Sequence, residues 1–370
     1  MNRQKLKQLH CDSILFFTIT VLVFIGLVMV FSSSGIYAME KYNDPYYFLK
    51  RQAMWVALGT VIMLTMRKID YRYMEKYTYL IMGTSFLMLI AVMMPGLGKE
   101  VGGARRWLTL GGLTFQPSEL AKFALVLFIA KSLVKRSDQL KNFAYGYLPK
   151  LIVLGFFFVP ILFQPDFGTA MIICTVTFSM LMIAGLRTKF LVYSVLAIIP
   201  FIVAAIMGAE YRTRRILAFL DPWQDPSDTG FQAIQSFYAF GRGGIFGSGI
   251  GASSQKLFYL PEAHTDFIFS VIGEELGFIG TLIIVLLFSV LIWRGFVIAY
   301  RAKDSFGAHV AIGLTLLLGI QAFVNMGVAV GLLPTKGLTL PFISMGGSSL
   351  LVLMLSMGVL LNISEQPVQR

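Results

Sequence analysis

The chain has 370 residues, of which 56% are hydrophobic and 14% are charged, and its formal net charge at pH 7 is +12. Soluble globular domains carry about 25% charged residues, so this composition excludes an ordinary water-soluble domain and indicates an integral membrane protein. The positive charge does not indicate nucleic-acid binding, because lysine and arginine gather in short loops on one side of the predicted membrane spans, facing anionic lipid.

Ten apolar segments approach the roughly 20 residues that a membrane-spanning helix needs. They are residues 13–31, 50–66, 77–94, 117–134, 151–163, 168–186, 190–207, 266–293, 308–330 and 349–363. The sequence therefore predicts an all-α polytopic membrane protein, with a single transmembrane domain over residues 1–370. A cleaved signal peptide is the alternative for the first segment, but the further spans favour a first transmembrane helix.

Loop charges predict the orientation of these spans. If the N-terminus is cytoplasmic, the inner loops hold most of the lysines and arginines with few acids to balance them, as at Arg67, Lys68 and Arg72. By the positive-inside rule, both termini are therefore expected in the cytoplasm. The longest outer connection, residues 208–265, follows the seventh predicted helix and is expected to carry functional surface.

The fourth predicted span contains Glu119 and Lys122, which are three residues apart and close enough to pair on one helix face. Arg106 lies in the loop before this span, next to Trp107. An arginine beside a tryptophan is often a membrane anchor. Together with Lys122 and Lys336, Arg106 is also a candidate for binding phosphate oxygens.

The eighth predicted span begins with His264, Thr265 and Asp266 and carries Glu274 and Glu275 in its apolar run. Asp266 is expected in the first helical turn at the outer membrane surface, where its carboxylate is a candidate general base. A helix cap formed with Thr265 is the alternative. The two glutamates are expected about 12 to 14 Å deeper by helical rise, too far to form a carboxylate pair with Asp266.

Buried glutamates in a membrane span need a partner or a proton. For Glu274 and Glu275, a structural role beside a buried base, with Lys122 as a candidate, and a functional role both remain open. The scattered histidines and the two cysteines, Cys11 and Cys174, predict no metal site or disulfide.

The loop after the ninth predicted span reads LLPTKGLTLPFISMGGSSLL and combines prolines and glycines with Lys336 and Ser348. Non-helical backbone at membrane depth is tolerated only beside protein or a cavity. A small polar cavity at the outer surface is therefore one interpretation, and a re-entrant turn with capping serines is the other.

Five motifs in chain order, GARRW, QPSELAK, QPDFGTA, LPEAHTDFIFSVIGEELG and PTKGLTLPFISMGGSS, together resemble the SEDS family of bacterial shape, elongation, division and sporulation proteins. The resemblance extends over nearly the whole chain. AHTDF and PTKGLTLPF are most similar to the cell-division branch, the FtsW type, and the sporulation branch is the alternative. Met345 departs from the tyrosine that commonly precedes GGSS in this family.

The resemblance implies a peptidoglycan glycosyltransferase that polymerises lipid II at the outer face of the bacterial inner membrane, at the division septum. It implies Asp266 as the general base and undecaprenyl pyrophosphate as the leaving group, with inversion at the anomeric carbon. The substrate-binding candidates are Arg106, Glu119, Lys122, His264, Thr265, Lys336 and Ser348, whereas Glu274 and Glu275 are expected to be structural. No cofactor is predicted, and the need for a divalent cation is left open.

The same resemblance implies a class B penicillin-binding protein as the transpeptidase partner, alongside other division proteins. Two alternative functions remain. A lipid II flippase would depend on the buried charges more than on Asp266, and a non-catalytic scaffold of the division machinery would tolerate the loss of either set.

Overall fold

The computed structural model describes residues 12–101, 103–110, 113–135, 139–140, 142–208, 210–228, 230–253, 263–335 and 337–366. In this part of the chain the structure is predominantly helical. The helices are α1 (Ser13–Tyr42), α2 (Tyr47–Lys68), α3 (Arg72–Ala91), α4 (Pro117–Lys135), α5 (Leu148–Phe163), α6 (Phe167–Ile183), α7 (Thr188–Met207), α8 (Glu210–Leu220), α9 (Phe231–Gly243), α10 (Ile268–Arg301), α11 (Ser305–Ala329) and α12 (Gly347–Glu365).

A helix lies over each of the ten predicted spans. Within the described residues, five helical segments are long and apolar enough to cross a membrane by length and composition, and Phe167–Ile183 is apolar but shorter. The five are Ser13–Tyr42, Phe143–Phe163, Ile268–Arg301, Ser305–Ala329 and Gly347–Glu365. These segments make the chain a membrane protein, while the ten-span topology stays a prediction.

A small antiparallel sheet corrects the all-α prediction. Its strands are β1 (Gly98–Val101), β2 (Ala104–Leu110) and β3 (Leu113–Phe115), in that order. Val101 pairs with Ala104 and Leu110 pairs with Leu113, so each hairpin closes across two residues, and the sequence there is Gly-Gly both times. Glycines suit the tight turns that reverse an antiparallel hairpin, since they accept positive φ.

The long connection 208–265 is partly helical. It contains α8 and α9, while its residues 254–262 lie outside the described residues. Helix α9 packs beside α10 and α11. Its Ser236 hydroxyl hydrogen-bonds to the Ser270 hydroxyl of α10 and donates to the Ala329 carbonyl of α11. The segment that follows α9 continues into direct contact with α10.

Helix α10 is broken at Gly277, where φ is 66° and ψ is −163°. Residues 244–249, hereafter the docked segment, replace the missing helical hydrogen bonds. The backbone N–H groups of Ser248 and Gly249 donate to the carbonyls of Glu274 and Glu275 at 2.9 and 3.0 Å. In return, the N–H groups of Phe278 and Ile279 donate to the carbonyls of Gly244 and Ile245 at 2.9 and 3.2 Å.

This break contradicts the continuous helix expected over 266–293. An uninterrupted helix would bond each N–H to the carbonyl four residues before it, whereas here the two carbonyls before the break and the two N–H groups after it bond to the docked segment. The backbone polar groups are thus satisfied inside the protein, which is what permits a broken helix at membrane depth.

Residues 337–346, hereafter the re-entrant loop, pass into the bundle between α11 and α12. Leu340, Phe342 and Ile343 are buried there, and Phe342 has a positive φ of 65°. Helix α1 makes room with a glycine, since a Cβ on Gly26 would lie 2.4 Å from the Phe342 carbonyl oxygen. This close packing favours the re-entrant turn over a cavity, but the capping serines of that interpretation are wrong, because the N-cap of α12 is Gly346 and no side chain caps it.

Asp304 lies at the end of the bundle opposite the re-entrant loop. Its side chain caps α11 by accepting from the Gly307 N–H at 2.8 Å. It also accepts from the Tyr71 hydroxyl at 2.7 Å and pairs with Arg72 at 3.3 Å. Burial alone would raise the pKa of this carboxyl, but the hydrogen bonds from Gly307, Tyr71 and Arg72 outweigh it and hold the pKa below its usual value.

Candidate active site

Asp266 is half-buried in the turn formed by residues 263–267, hereafter the Asp266 turn, directly before α10. Because α10 begins at Ile268, the prediction that Asp266 lies in its first helical turn is wrong by two residues. Phe267 occupies the N-cap position, and no side-chain cap hydrogen bond is made there. The residue at the cap of α10 is therefore not Asp266.

Three consecutive carbonyls hold the backbone of the Asp266 turn. The His264 carbonyl accepts from the Met345 N–H at 3.0 Å, and the Thr265 carbonyl accepts from the Ser344 hydroxyl. The Asp266 carbonyl accepts from the Asn325 side-chain amide at 2.9 Å. Since Met345 contributes through its backbone, its departure from the tyrosine common in the SEDS family leaves this contact intact.

The carboxylate of Asp266 faces the re-entrant loop. Its Oδ2 atom lies 3.3 Å from the position that a Cβ on Gly337 would occupy, so a glycine at this position leaves space for the carboxylate. Lys336, the neighbouring phosphate-binding candidate, lies outside the described residues. On the other side, the His264 ring packs on the Phe48 ring with centroids 4.7 Å apart.

The predicted ion pair between Glu119 and Lys122 is present, with the Lys122 Nζ atom 2.8 Å from the Glu119 carboxylate. Both side chains are buried, at 2% exposure for Lys122 and 8% for Glu119. Lys122 also donates to the Gln321 side chain at 2.9 Å, and Gln321 donates to the Thr339 carbonyl at 3.2 Å. A buried pair needs such additional hydrogen bonds, and here they connect α4 to the re-entrant loop through α11.

Arg106 lies on β2 and donates through Nε to the Gln164 carbonyl at 2.8 Å and through Nη2 to the Pro165 carbonyl at 2.6 Å. These contacts fix its guanidinium against the QPDFG motif. The other proline motif joins it, because the Gln116 side chain donates to Asp166 Oδ2 at 3.2 Å. Asp166 caps α6 by accepting from the Thr169 N–H, a position that suits a short acidic side chain.

Glu274 and Glu275 are each 1% exposed and lie beside the break in α10. The Ser32 hydroxyl of α1 donates to Glu275 at 2.7 Å, and the Ser253 hydroxyl donates to Glu274. Lys122 pairs with Glu119 instead, so the suggested pairing of Lys122 with either glutamate is wrong. The two glutamate side chains thus connect α10, beside its break, to α1 and to the segment that follows α9.

Arg294 of α10 forms an ion pair with Asp12 at the start of α1. The rise of about 12 to 14 Å from Asp266 to the two glutamates stays a prediction.

Ser348 lies in the first turn of α12, 1% exposed, and its hydroxyl has no hydrogen-bond partner in the part of the chain that the structure describes. The neighbouring Ser349 hydroxyl accepts from Thr339 of the re-entrant loop at 3.3 Å. Across the same described residues, no group of three or more His, Cys, Asp or Glu side chains is placed to hold a metal ion.

Sequence reasoning missed Gln321 and Asn325, whose side chains reach the re-entrant loop and the Asp266 turn. A signal for both was available. They are four residues apart in an otherwise apolar span, hence on one helix face, and polar side chains inside such spans usually bond to a neighbouring segment.

The motifs and their arrangement match a known protein family. The family model described as "Cell cycle protein", which is that of FtsW, RodA and SpoVE, matches residues 12–369. The chain belongs to this family. The resemblance drawn from the five motifs is thereby confirmed.

Curated relatives match over nearly their whole length. "Probable peptidoglycan glycosyltransferase FtsW" of Geobacter metallireducens is 47% identical over 355 residues, covering 96% of this chain and 95% of the relative. "Stage V sporulation protein E" of Bacillus subtilis is 42% identical over 359 residues, covering 97% and 98%.

Solved structures share the fold. One is a chain from a peptidoglycan synthase complex that coordinates polymerization and crosslinking, with a TM-score of 0.79, 30% identity and coverage of 98% of this chain and 100% of that chain. Another is the rod shape determining protein RodA of Thermus thermophilus, with a TM-score of 0.72, 28% identity and coverage of 99% and 100%.

Proposed function

We propose that this chain is a peptidoglycan glycosyltransferase of the FtsW type, which polymerises lipid II at the outer face of the bacterial inner membrane. The names of relatives that match it at about 47% identity over nearly the whole chain support this activity. The observation that carries the mechanism is the half-buried Asp266 carboxylate on a turn whose backbone is tied down by three hydrogen bonds.

One carboxylate is enough for this reaction. Asp266 takes the proton from the 4-hydroxyl of the acceptor sugar as that oxygen attacks the anomeric carbon of the donor. The bond from the anomeric carbon to the pyrophosphate oxygen breaks at the same time, so undecaprenyl pyrophosphate leaves and the configuration inverts. A base held by its backbone keeps its carboxylate aimed at the acceptor, which is the condition for efficient proton transfer.

The leaving pyrophosphate gains negative charge in the transition state, and cations near it lower the barrier. Arg106 and Lys336 are the proposed phosphate-binding residues. We assign Lys122 and Glu119 an indirect role, because their pair is buried and tied through Gln321 to the re-entrant loop.

The remaining candidates have different proposed roles. His264 and Thr265 precede the base and are proposed to border the acceptor sugar. Ser348, behind the re-entrant loop, is also proposed to contribute to substrate binding. Glu274 and Glu275 are proposed to be structural, because they contact serines at the break in α10.

The surroundings of the enzyme are proposed on the same basis. Ten transmembrane helices with cytoplasmic termini would place the Asp266 turn and the connection 208–265 outside, where the substrate headgroup is. A class B penicillin-binding protein is the proposed transpeptidase partner, supported by the likeness to a chain of a peptidoglycan synthase complex. The division septum is the proposed location, since most of the similar curated relatives carry the name FtsW.

The experiment uses wild-type protein purified with its transpeptidase partner, supplied with lipid II in two formats. In detergent, glycan polymer is the product measured, and in proteoliposomes, movement of labelled lipid II between leaflets is measured. The proposal expects polymer in the first format. Translocation without polymer would contradict the proposal and support the flippase function. If protein that still binds its partner gives neither polymer nor translocation, the scaffold function is supported.

A further inference from the structure

Asn325 of α11 joins the Asp266 turn to the re-entrant loop. Its side chain is 2% exposed. The Nδ2 group donates to the Asp266 carbonyl at 2.9 Å and to the Leu338 carbonyl at 2.6 Å. One amide group thus contacts both the residue proposed as the base and the loop that its carboxylate faces.

The chemistry of this contact is specific to a primary amide. An asparagine Nδ2 group has two hydrogens, and here each is directed to a different backbone carbonyl. A leucine of similar size would supply no donor, and an aspartate would bring a carboxylate oxygen against two carbonyl oxygens. Neither replacement can hold the two segments together in this way.

The position of the contact relates it to catalysis. Leu338 is adjacent to Gly337, whose missing side chain leaves the space that Asp266 Oδ2 approaches at 3.3 Å. The two neighbouring carbonyls, of His264 and Thr265, are held by the far end of the same loop. Asn325 therefore fixes the Asp266 backbone at the point where the turn and the near end of the loop meet.

We propose that Asn325 is a positioning residue for glycosyl transfer, which sets the direction of the Asp266 carboxylate relative to the re-entrant loop. This inference rests on the proposed role of Asp266 as the general base. Because the proposed substrate-binding residues are others, loss of the contact should alter the rate of transfer more than the affinity for lipid II. A displacement of about 1 Å at a catalytic group can reduce a rate by about 100-fold.

The test compares Asn325→Leu with Asn362→Leu in the full chain bound to its transpeptidase partner. Asn362 is a matched control, because it is also buried and also bonds to backbone, donating to the Arg67 carbonyl at 2.7 Å and accepting from the Tyr71 N–H at 2.9 Å, at the other end of the bundle. The kcat per folded molecule and the KM for lipid II are measured from glycan polymer formation, and the folded fraction is measured by thermal unfolding.

We expect Asn325→Leu to lower kcat by about 10- to 100-fold and to change KM by less than about 3-fold. We expect Asn362→Leu to lower Tm as Asn325→Leu does, with kcat within about 3-fold of wild type. Asn325→Ala, which leaves room for water beside both carbonyls, decides the question if the leucine variant does not fold.

Equal kcat values for the Asn325 and Asn362 variants would overturn the proposal, as would a rise in KM that accounts for the whole loss of kcat/KM. Asp266→Asn, measured beside them, distinguishes a failure of the proposed mechanism from a failure of the positioning role alone. If Asp266→Asn is as active as wild type, the proposed mechanism itself has failed. If Asp266→Asn is inactive while Asn325 variants behave like the control, only the positioning role has failed.

Discussion

The break in α10 makes a sharp prediction for Gly277. Its φ of 66° and ψ of −163° lie in a region that only glycine occupies readily, and another residue there costs about 1 to 3 kcal/mol. A Cβ at this position would also lie 2.3 Å from the Gly247 nitrogen and 2.6 Å from the Ile245 carbonyl oxygen. Both atoms are backbone, so the docked segment must move.

Movement of the docked segment would weaken or break its four backbone hydrogen bonds to α10. Each such bond contributes about 1 kcal/mol net to the free energy of unfolding. Gly277→Ala is therefore expected to lower the free energy of unfolding by about 2 to 5 kcal/mol. Hydrogen exchange reports the same event locally, because the amides of Ser248 and Gly249 should exchange slowly in wild type and faster in the variant.

Gly83→Ala is the matched control. Gly83 lies in α3, and an added Cβ would meet nothing within 4 Å. Alanine in a helix interior is favoured over glycine by about 0.5 to 1 kcal/mol, so this variant should be slightly more stable than wild type. Denaturant unfolding of the purified protein in detergent measures both. A Gly277→Ala protein as stable as wild type, with unchanged exchange of the two amides, would refute the docked-segment argument.

Two further predictions concern charges. Lys122→Met should destabilise the fold by about 3 to 5 kcal/mol because it leaves the Glu119 carboxylate buried without its cation. Adding Glu119→Gln should recover much of the lost stability. Lys50→Met, at an exposed pair with Asp44, should change Tm little because water screens that pair. Equal effects at both lysines would contradict this reasoning. For Asp304, whose pKa is lowered by folding, the stabilising contribution is present above the unfolded pKa of about 3.9 and is lost as pH falls through the lower folded pKa. The Tm difference between wild type and Asp304→Asn should accordingly hold from pH 7 to about pH 5 and shrink below about pH 4, and a difference independent of pH would be the contrary result.

The features that the sequence predicted correctly are local ones. Helices over the apolar runs follow from composition and length, because each run satisfies its own backbone hydrogen bonds. The pair of Glu119 and Lys122 follows from a spacing of three residues on one helix.

The features that sequence reasoning missed depend on partners distant in the chain. A glycine such as Gly277 inside an apolar run is compatible with a continuous helix, and only the docked segment, some thirty residues earlier, supplies the hydrogen bonds of a break. Asn325 was likewise not singled out, since its two acceptors lie in the Asp266 turn and the re-entrant loop. The sheet is different, because its two Gly-Gly connections were a hairpin signal available in the sequence.

The central claim, that Asp266 is the general base, is tested most directly by comparing Asp266→Asn with Asp304→Asn in the complex with the transpeptidase. Lipid II binding and the rate of glycan polymer formation are measured on the same preparations. The proposed mechanism predicts that Asp266→Asn folds and binds lipid II but forms no polymer, while Asp304→Asn polymerises at close to the wild-type rate per folded molecule. Polymer formation by Asp266→Asn at a rate comparable to wild type would contradict the mechanism.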